Sequence, residues 1–186
     1  MSRPAPPTPA KLVIGMISGD RSLAEKVATA LLSVFGEPDL ISPWWPFDFT
    51  EYYRREMGAP LFRRMMSFNA GIDQAHLPDI KQITNQLEIR FSRTPAKRSV
   101  NIDPGYLLPE RFVLASGKNF THRIYIGKGI YADLTLIFQK GTFVSLPWTY
   151  PDYADDRIQS FLHQARNKLL ADLRSGFSIN WRPQDR

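Results

Sequence analysis

The chain has no cysteine in its 186 residues, which excludes disulfides, thiolate metal sites and thiol nucleophiles and agrees with a reducing, cytoplasmic setting. Its three histidines, His76, His122 and His163, have no zinc-motif spacing. No apolar run approaches the roughly 18 residues needed to cross a bilayer. The motifs GxGxxG, GxxxxGK[ST] and Gly-x-Ser-x-Gly are also absent, so the usual signatures of dinucleotide binding, phosphate-loop chemistry and serine hydrolysis are missing. No internal repeat relates the two halves.

What is present fits one globular domain: 43% hydrophobic and 23% charged residues, with a net charge of +6. The proline-rich start, residues 1–10, reads as a disordered leader, residues 11–174 as a single domain and residues 175–186 as a C-terminal tail. The positive charge raises anionic metabolites or nucleic acid as partners. Its densest clusters, Arg54-Arg55, Arg63-Arg64 and the run Arg90 to Arg98, read first as solvated surface charge.

The strongest structural signal is residues 119–146, where two β-rich runs flank Gly127-Lys128-Gly129. A three-residue loop closed by Ile126 and Ile130 sets Arg123 opposite Asp133, Tyr125 opposite Tyr131 and Thr121 opposite Thr135 on one side of a hairpin. The other side then carries Ile124, Ile126, Ile130, Ala132, Leu134 and Leu136; a one-residue slip would pair Arg123 with Leu134. Around this hairpin the patterning predicts a strand over Leu12–Ile17, a helix capped by Asp20 and an edge strand at Leu40-Ile41. A strand over Leu61–Phe68 follows, then a helix capped by Asp73. Val100–Tyr106 reads as a strand ending in an Asp-Pro-Gly turn, Phe112–Ala115 as another strand, and Lys140-Gly141 as a second hairpin turn. A last helix runs from about Ala154 to Leu173. The fold class is therefore α+β: a single-domain, antiparallel-rich sheet with about three helices packed on one face. Two loops rich in aromatics and proline, residues 38–60 and 146–153, leave this sheet.

Polar chemistry concentrates in a few places. Asp103 and Asn101 leave one strand face, and Asp103 and Asp133, with Asp48 as a more distant contributor, have the oxygen ligands that Mg²⁺ takes. The alternative is that Asp103 only makes a turn and Asp133 only pairs with Arg123. Lys118, His122, Arg123 and Lys128 form a cationic set. Arg123 can grip a phosphate or carboxylate bidentately, and Lys128 can reach one from a glycine-flanked loop. His122 is either a hydrogen-bonded histidine at the core edge or, with Asp103, a catalytic acid or base. Tyr52, Tyr125 and Tyr131, with Asp48, complete the candidate ligand-binding residues.

Several stretches carry a family resemblance: Asp-Phe-Thr-Glu-Tyr-Tyr at 48–53, Glu-Met-Gly at 56–58, Asn-Ile-Asp-Pro-Gly-Tyr at 101–106, Leu-Ala-Ser at 114–116, His-Arg-Ile-Tyr-Ile-Gly-Lys-Gly-Ile-Tyr-Ala at 122–132 and Pro-Trp-Thr-Tyr-Pro-Asp-Tyr at 147–153. Through them the chain resembles, over about residues 11–174, the family known as domain of unknown function DUF4416. The resemblance implies no particular reaction. A generic nucleotide-binding character goes with some members, and the missing phosphate loop separates this chain from the usual GTPase chemistry.

Three functional expectations follow. The first is a protein that binds or acts on a phosphorylated, nucleotide-like anionic small molecule, with Mg²⁺ as a possible cofactor. The second is an RNA or single-strand binding module in which Tyr125 and Tyr131 stack bases. The third is a structural protein whose aromatic loops bind a partner. Asp103 and Asp133 beside the cations favour a compact ligand over a long polyanion.

Overall fold

The computed structural model describes residues 3–92, 94 and 97–183. Its elements are β1 (Ala10–Ser18), α1 (Arg21–Phe35), β2 (Pro38–Ile41), β3 (Trp45–Pro46), α2 (Arg54–Met57), β4 (Phe62–Ile72), α3 (Leu77–Arg90), β5 (Val100–Leu108), β6 (Arg111–Ser116), β7 (Arg123–Gly127), β8 (Ile130–Gln139), β9 (Thr142–Ser145) and α4 (Asp156–Arg174). They form an α+β domain around one nine-stranded sheet in the order β2-β4-β1-β5-β6-β8-β7, with β3 on β4 and β9 on β8. Every ladder between these strands is antiparallel.

All nine residues of β1 are buried, because this central strand is covered on both faces. Leu12, Ile14 and Met16 point to the face where α1 sets Ala24, Val27 and Leu31 and α3 sets Leu77, Ile80 and Leu87. Val13 points to the opposite face, under Ile158, Phe161, Leu162, Ala165 and Leu169 of α4. The helices thus occupy both faces and not one, as expected from the sequence; the correction follows from strand alternation, which gives β1, β4 and β5 an apolar set on each side. Asp20 caps α1 by accepting from Leu23 N at 3.0 Å, and Asp155 caps α4 by accepting from Arg157 N at 2.9 Å.

The face carrying α4 is not uniformly apolar. Along β1 it passes from Lys11, ion-paired with Asp39 and with Asp172 of α4, to Val13, then Gly15, then Ile17. Beyond Val13 the helix ends and loops take over. A Cβ at Gly15 would sit 3.0 Å from the Tyr153 hydroxyl, and Ile17 packs with Phe47 and Leu61 under residues 47–57.

The hairpin keeps the expected register from Arg123 on: Arg123 pairs with Asp133 and Tyr125 with Tyr131, whereas Thr121 lies in the turn before β7 and does not pair with Thr135. Its turn is tighter than expected. Gly127 pairs with Ile130, leaving Ile126 as a bulge, and Lys128 (φ 53) and Gly129 (φ 74) make a two-residue turn of the type that suits twisted strands. A further irregularity between Phe112 and Val113 on the β6 side makes Thr135 the extra residue of β8. Leu136 therefore joins the α4 face while Leu134 packs on the other. The Asp-Pro-Gly segment does not turn: β5 runs through it to Leu108. Proline is tolerated there because pairing with β6 begins only at Gly105, so the missing amide falls where β5 has no neighbour on that side. Past α4 the chain returns to the sheet. Trp181 packs against Phe35 with ring centres 5.3 Å apart and donates to Val34 O at 2.9 Å, docking residues expected as a tail.

Gly105 tests the closeness of β5 and β6. A Cβ there would lie 2.5 Å from the Val113 carbonyl oxygen, a backbone atom that cannot swing aside. Gly105→Ala is expected to cost about 1–3 kcal/mol, read as a lower midpoint in urea unfolding; an unchanged midpoint would contradict that approach.

Candidate functional site

Where α4 stops, the polar half of its face is roofed by the segments around Phe47–Met57 and Trp148–Tyr153, the two aromatic loops of the sequence. Two chains of polar contacts join these loops across the strands.

The inner chain is largely buried. On the first loop Glu56 accepts from two nitrogens of Arg98, Nε at 2.9 Å and Nη2 at 2.7 Å. Arg98 Nη1 donates to Asn101 Oδ1 at 2.9 Å, Asn101 Nδ2 to Asp103 Oδ2 at 2.7 Å, and Arg63 Nη2 to the same Asp103 oxygen at 3.1 Å. Arg63 also ion-pairs with Asp152 on the second loop. Strand alternation places Arg63, Asn101 and Asp103 on the same face as Met65 and Leu107. The Arg63 guanidinium is only 3% exposed and lies 4.7 Å from the Tyr153 ring and 5.4 Å from the Phe47 ring, one from each loop. Burial opposes its charge, yet the facing carboxylates of Asp152 and Asp103 favour it and its pKa is raised. Burial also raises Asp152, against the pull of Arg63. Burial raises the phenols of Tyr53 and Tyr153, so both stay protonated. Arg63 Nε and the Tyr153 hydroxyl have no hydrogen-bond partner of normal geometry among the described residues.

The outer chain lies nearer solvent. Lys118 Nζ donates to Tyr52 Oη at 3.1 Å and lies 4.6 Å from that ring. Arg123 donates from Nη1 to Lys118 O at 2.8 Å, from Nε to Asp133 Oδ2 at 2.9 Å, and from Nη2 to the Tyr150 hydroxyl. Asp133, 2% exposed, also meets His122 Nε2 at 3.2 Å. The His122 ring stacks on Trp148 at 4.9 Å with a 9° tilt. The Lys118 hydrogen bond lowers the Tyr52 pKa. Burial raises that of Tyr150, Arg123 counteracts it, and the charges of Asp133 and Asp103 are both felt there. Tyr150 thus stands between the two chains.

The sequence-predicted site residues divide accordingly. Tyr52, Asp103, Lys118, His122, Arg123 and Asp133 come together on this face. Tyr125 and Tyr131 meet edge-on at 5.3 Å on the adjoining part of the hairpin. Lys128 does not join them: it ion-pairs with Asp79 of α3, and its carbonyl accepts from Gln82 Nε2 at 2.9 Å. Asp48 is exposed and acts on Arg157 instead. Among the described residues no group of three His, Cys, Asp or Glu side chains is spaced to hold a metal ion. Asp133 is enclosed, whereas Asp103 keeps a side chain 22% exposed and is the carboxylate open to one. Arg93, within the basic run, lies outside the described residues.

Sequence reasoning missed Arg63, Arg98, Glu56 and Asp152. A signal for Arg63 existed: it alternates with Leu61 and Met65 in a strand, the pattern of an inward position. A groove of about 380 Å³ between Leu40, Pro43, Trp45 and α4 residues Arg157 and Phe161 is apart from this chemistry.

Fold and site together define an α+β protein whose two aromatic loops are tied by arginine-centred networks over one polar sheet face. The chain belongs to the family described as domain of unknown function (DUF4416), whose model matches residues 8–169. No curated protein and no solved structure gives a match. Among the described residues, no helix is long and apolar enough to cross a membrane.

The Glu56–Arg98 tether gives a pH test. The Arg98 hydrogen bonds hold the Glu56 carboxyl below its usual range, so its stabilisation is full above the ordinary value near 4.5 and is lost as pH falls through the depressed folded value. Asp152 has the opposite sign, because its raised value favours the protonated folded form. Global acid unfolding therefore mixes the two. Glu56→Gln at pH 7 isolates one: it should weaken the tether by about 1–2 kcal/mol and speed amide hydrogen exchange in residues 53–58 while β5 stays protected. Unchanged exchange there would show that Arg98 does not hold the loop.

Proposed function

We propose that the polar face between the two loops binds a phosphorylated, nucleotide-like anionic small molecule, with Lys118 and Arg123 as its anion contacts. The observation that carries this reading is the kind of partner these two cations have. Lys118 makes no ion pair among the described residues; its ammonium rests on a tyrosine hydroxyl and ring. Arg123 is oriented through Nε by Asp133, yet its two outer nitrogens go to neutral acceptors, a carbonyl and the Tyr150 hydroxyl. A phosphate oxygen is a stronger acceptor than either and can replace them without stranding a carboxylate. Tyr52 (53% exposed), Tyr150 (42%) and Trp148 (37%) offer ring faces for a planar base beside those charges. Mg²⁺ arriving with the phosphate would find Asp103 and keep several of its waters. A reducing, cytoplasmic setting suits a chain without cysteine.

The structure alters which variant tests this reading. Arg123→Ala would leave Asp133 buried beside His122 without its cation, so lost binding and lost folding would be confused. Lys118→Ala removes an exposed side chain with no ion pair. Titrations of nucleoside diphosphates and sugar phosphates, with and without Mg²⁺, are expected to show binding that Lys118→Ala weakens by about ten- to a hundredfold, one lost charge-assisted hydrogen bond, with a melting temperature lowered by no more than about 5 °C. Equal affinity in parent and variant would remove Lys118 from the site, and no response to any phosphorylated compound would remove the reading. Single-stranded RNA in the same titration separates the polyanion alternative, whose affinity should collapse between about 50 and 200 mM salt.

A further inference from the structure

The two lateral borders of the sheet are built differently. On one side, β2 and β3 are short and carry Pro38 and Pro46, with Pro43 between them, and proline blocks edge pairing. On the other, β7 reads Arg-Ile-Tyr-Ile-Gly and has no proline or lysine. Its one charge, Arg123, is turned inward to Asp133 and Tyr150. Ile124 is 71% exposed and Tyr125 60%, with Phe120 at 61% just before the strand.

The backbone of β7 is set for a partner. Arg123 N donates to Phe120 O at 3.0 Å and not to β8, so Arg123 and Asp133 are a non-hydrogen-bonded pair. Antiparallel ladders alternate, so Ile124 makes the bonds to Ala132 and Tyr125 directs its amide and carbonyl to the open edge.

We infer that this edge pairs with β7 of a second copy, antiparallel about a two-fold axis at Tyr125. That register sets Tyr125 against the partner's Tyr125 with two reciprocal backbone bonds and Ile124 against the partner's Ile126, and it stops short of Arg123, whose amide is already taken by Phe120 O. Apolar residues meet apolar ones, and no cation meets its own copy. A two-fold pairing is isologous and closes, so it ends the edge without building a filament. The sheets join into one, with both polar faces on the same side of it. Five residues per strand bury much less than the roughly 800 Å² per partner of a standard interface, so the association is weak and dependent on concentration.

Sedimentation velocity of the full chain from about 1 to 200 µM is the test. A shift from monomer towards dimer is expected for the parent protein. Ile124→Lys, an exposed change that places a charge at the two-fold, should stay monomeric throughout. Tyr125→Pro should do the same with an unchanged circular dichroism spectrum, because the amide it deletes is not used within the fold. If Tyr125→Pro unfolds, Ile124→Lys alone decides. A parent that is monomeric at the highest concentration overturns the inference, and so does an Ile124→Lys variant that dimerises like the parent, since its interface would then lie elsewhere.

Discussion

A buried guanidinium held between carboxylates of two different elements is the constraint on which this face of the molecule depends. Arg63 reaches Asp103 on β5 and Asp152 on the second loop, and aromatic rings from both loops close over it. Replacing such a cluster with well-packed apolar residues is often neutral or stabilising, whereas removing one member costs about 3–5 kcal/mol. Stability alone therefore does not account for its presence. What the cluster supplies is position: each loop is tied to the same strands by charge-assisted bonds, and Asn101 relays the tie to Arg98 and Glu56. An apolar contact would permit sliding, while a chain of directional bonds fixes where the tyrosines of both loops stand.

The hairpin was legible because its pattern is local. Strand period and opposite charges at Arg123 and Asp133 select one register, and the observed pairing keeps it. Its fine structure was less so: the bulge at Ile126 and the extra residue at Thr135 depend on the turn and on the neighbouring strand, which periodicity does not encode. The Asp-Pro-Gly segment misled because turn chemistry at three residues is overridden where β1 pairs with all three of them and β6 takes over the other side from Gly105 on. The candidate site divides in the same way. Residues grouped on the hairpin and its flanks, Lys118, His122, Arg123 and Asp133, are together in space because they are close along the chain. Arg63 and Asp103 are 40 positions apart, and Arg98 and Glu56 are 42 apart. Their pairing follows from strand order, and no spacing rule reaches across it. Lys128 shows the converse, since one turn beyond the hairpin face is enough to send it to Asp79 on the other side.

The two polar chains also differ in how readily they can open. Breaking the inner chain at Arg63 exposes an uncompensated buried charge, at about 3–5 kcal/mol. Breaking the outer chain at Lys118 and Tyr52 gives up one exposed hydrogen bond and a ring contact, and water replaces both, so the net cost is about 0.5–1.5 kcal/mol. Local opening takes the cheaper route. Under the proposed function a ligand would therefore approach from the outer side, past Tyr52 and Tyr150, with Arg63 and Asp152 buried behind it. The inner network is thus the part that is costly to open and the outer one the part that opens at lower cost, which is why the proposed anion contacts lie on the outer chain and not at the more deeply buried arginine.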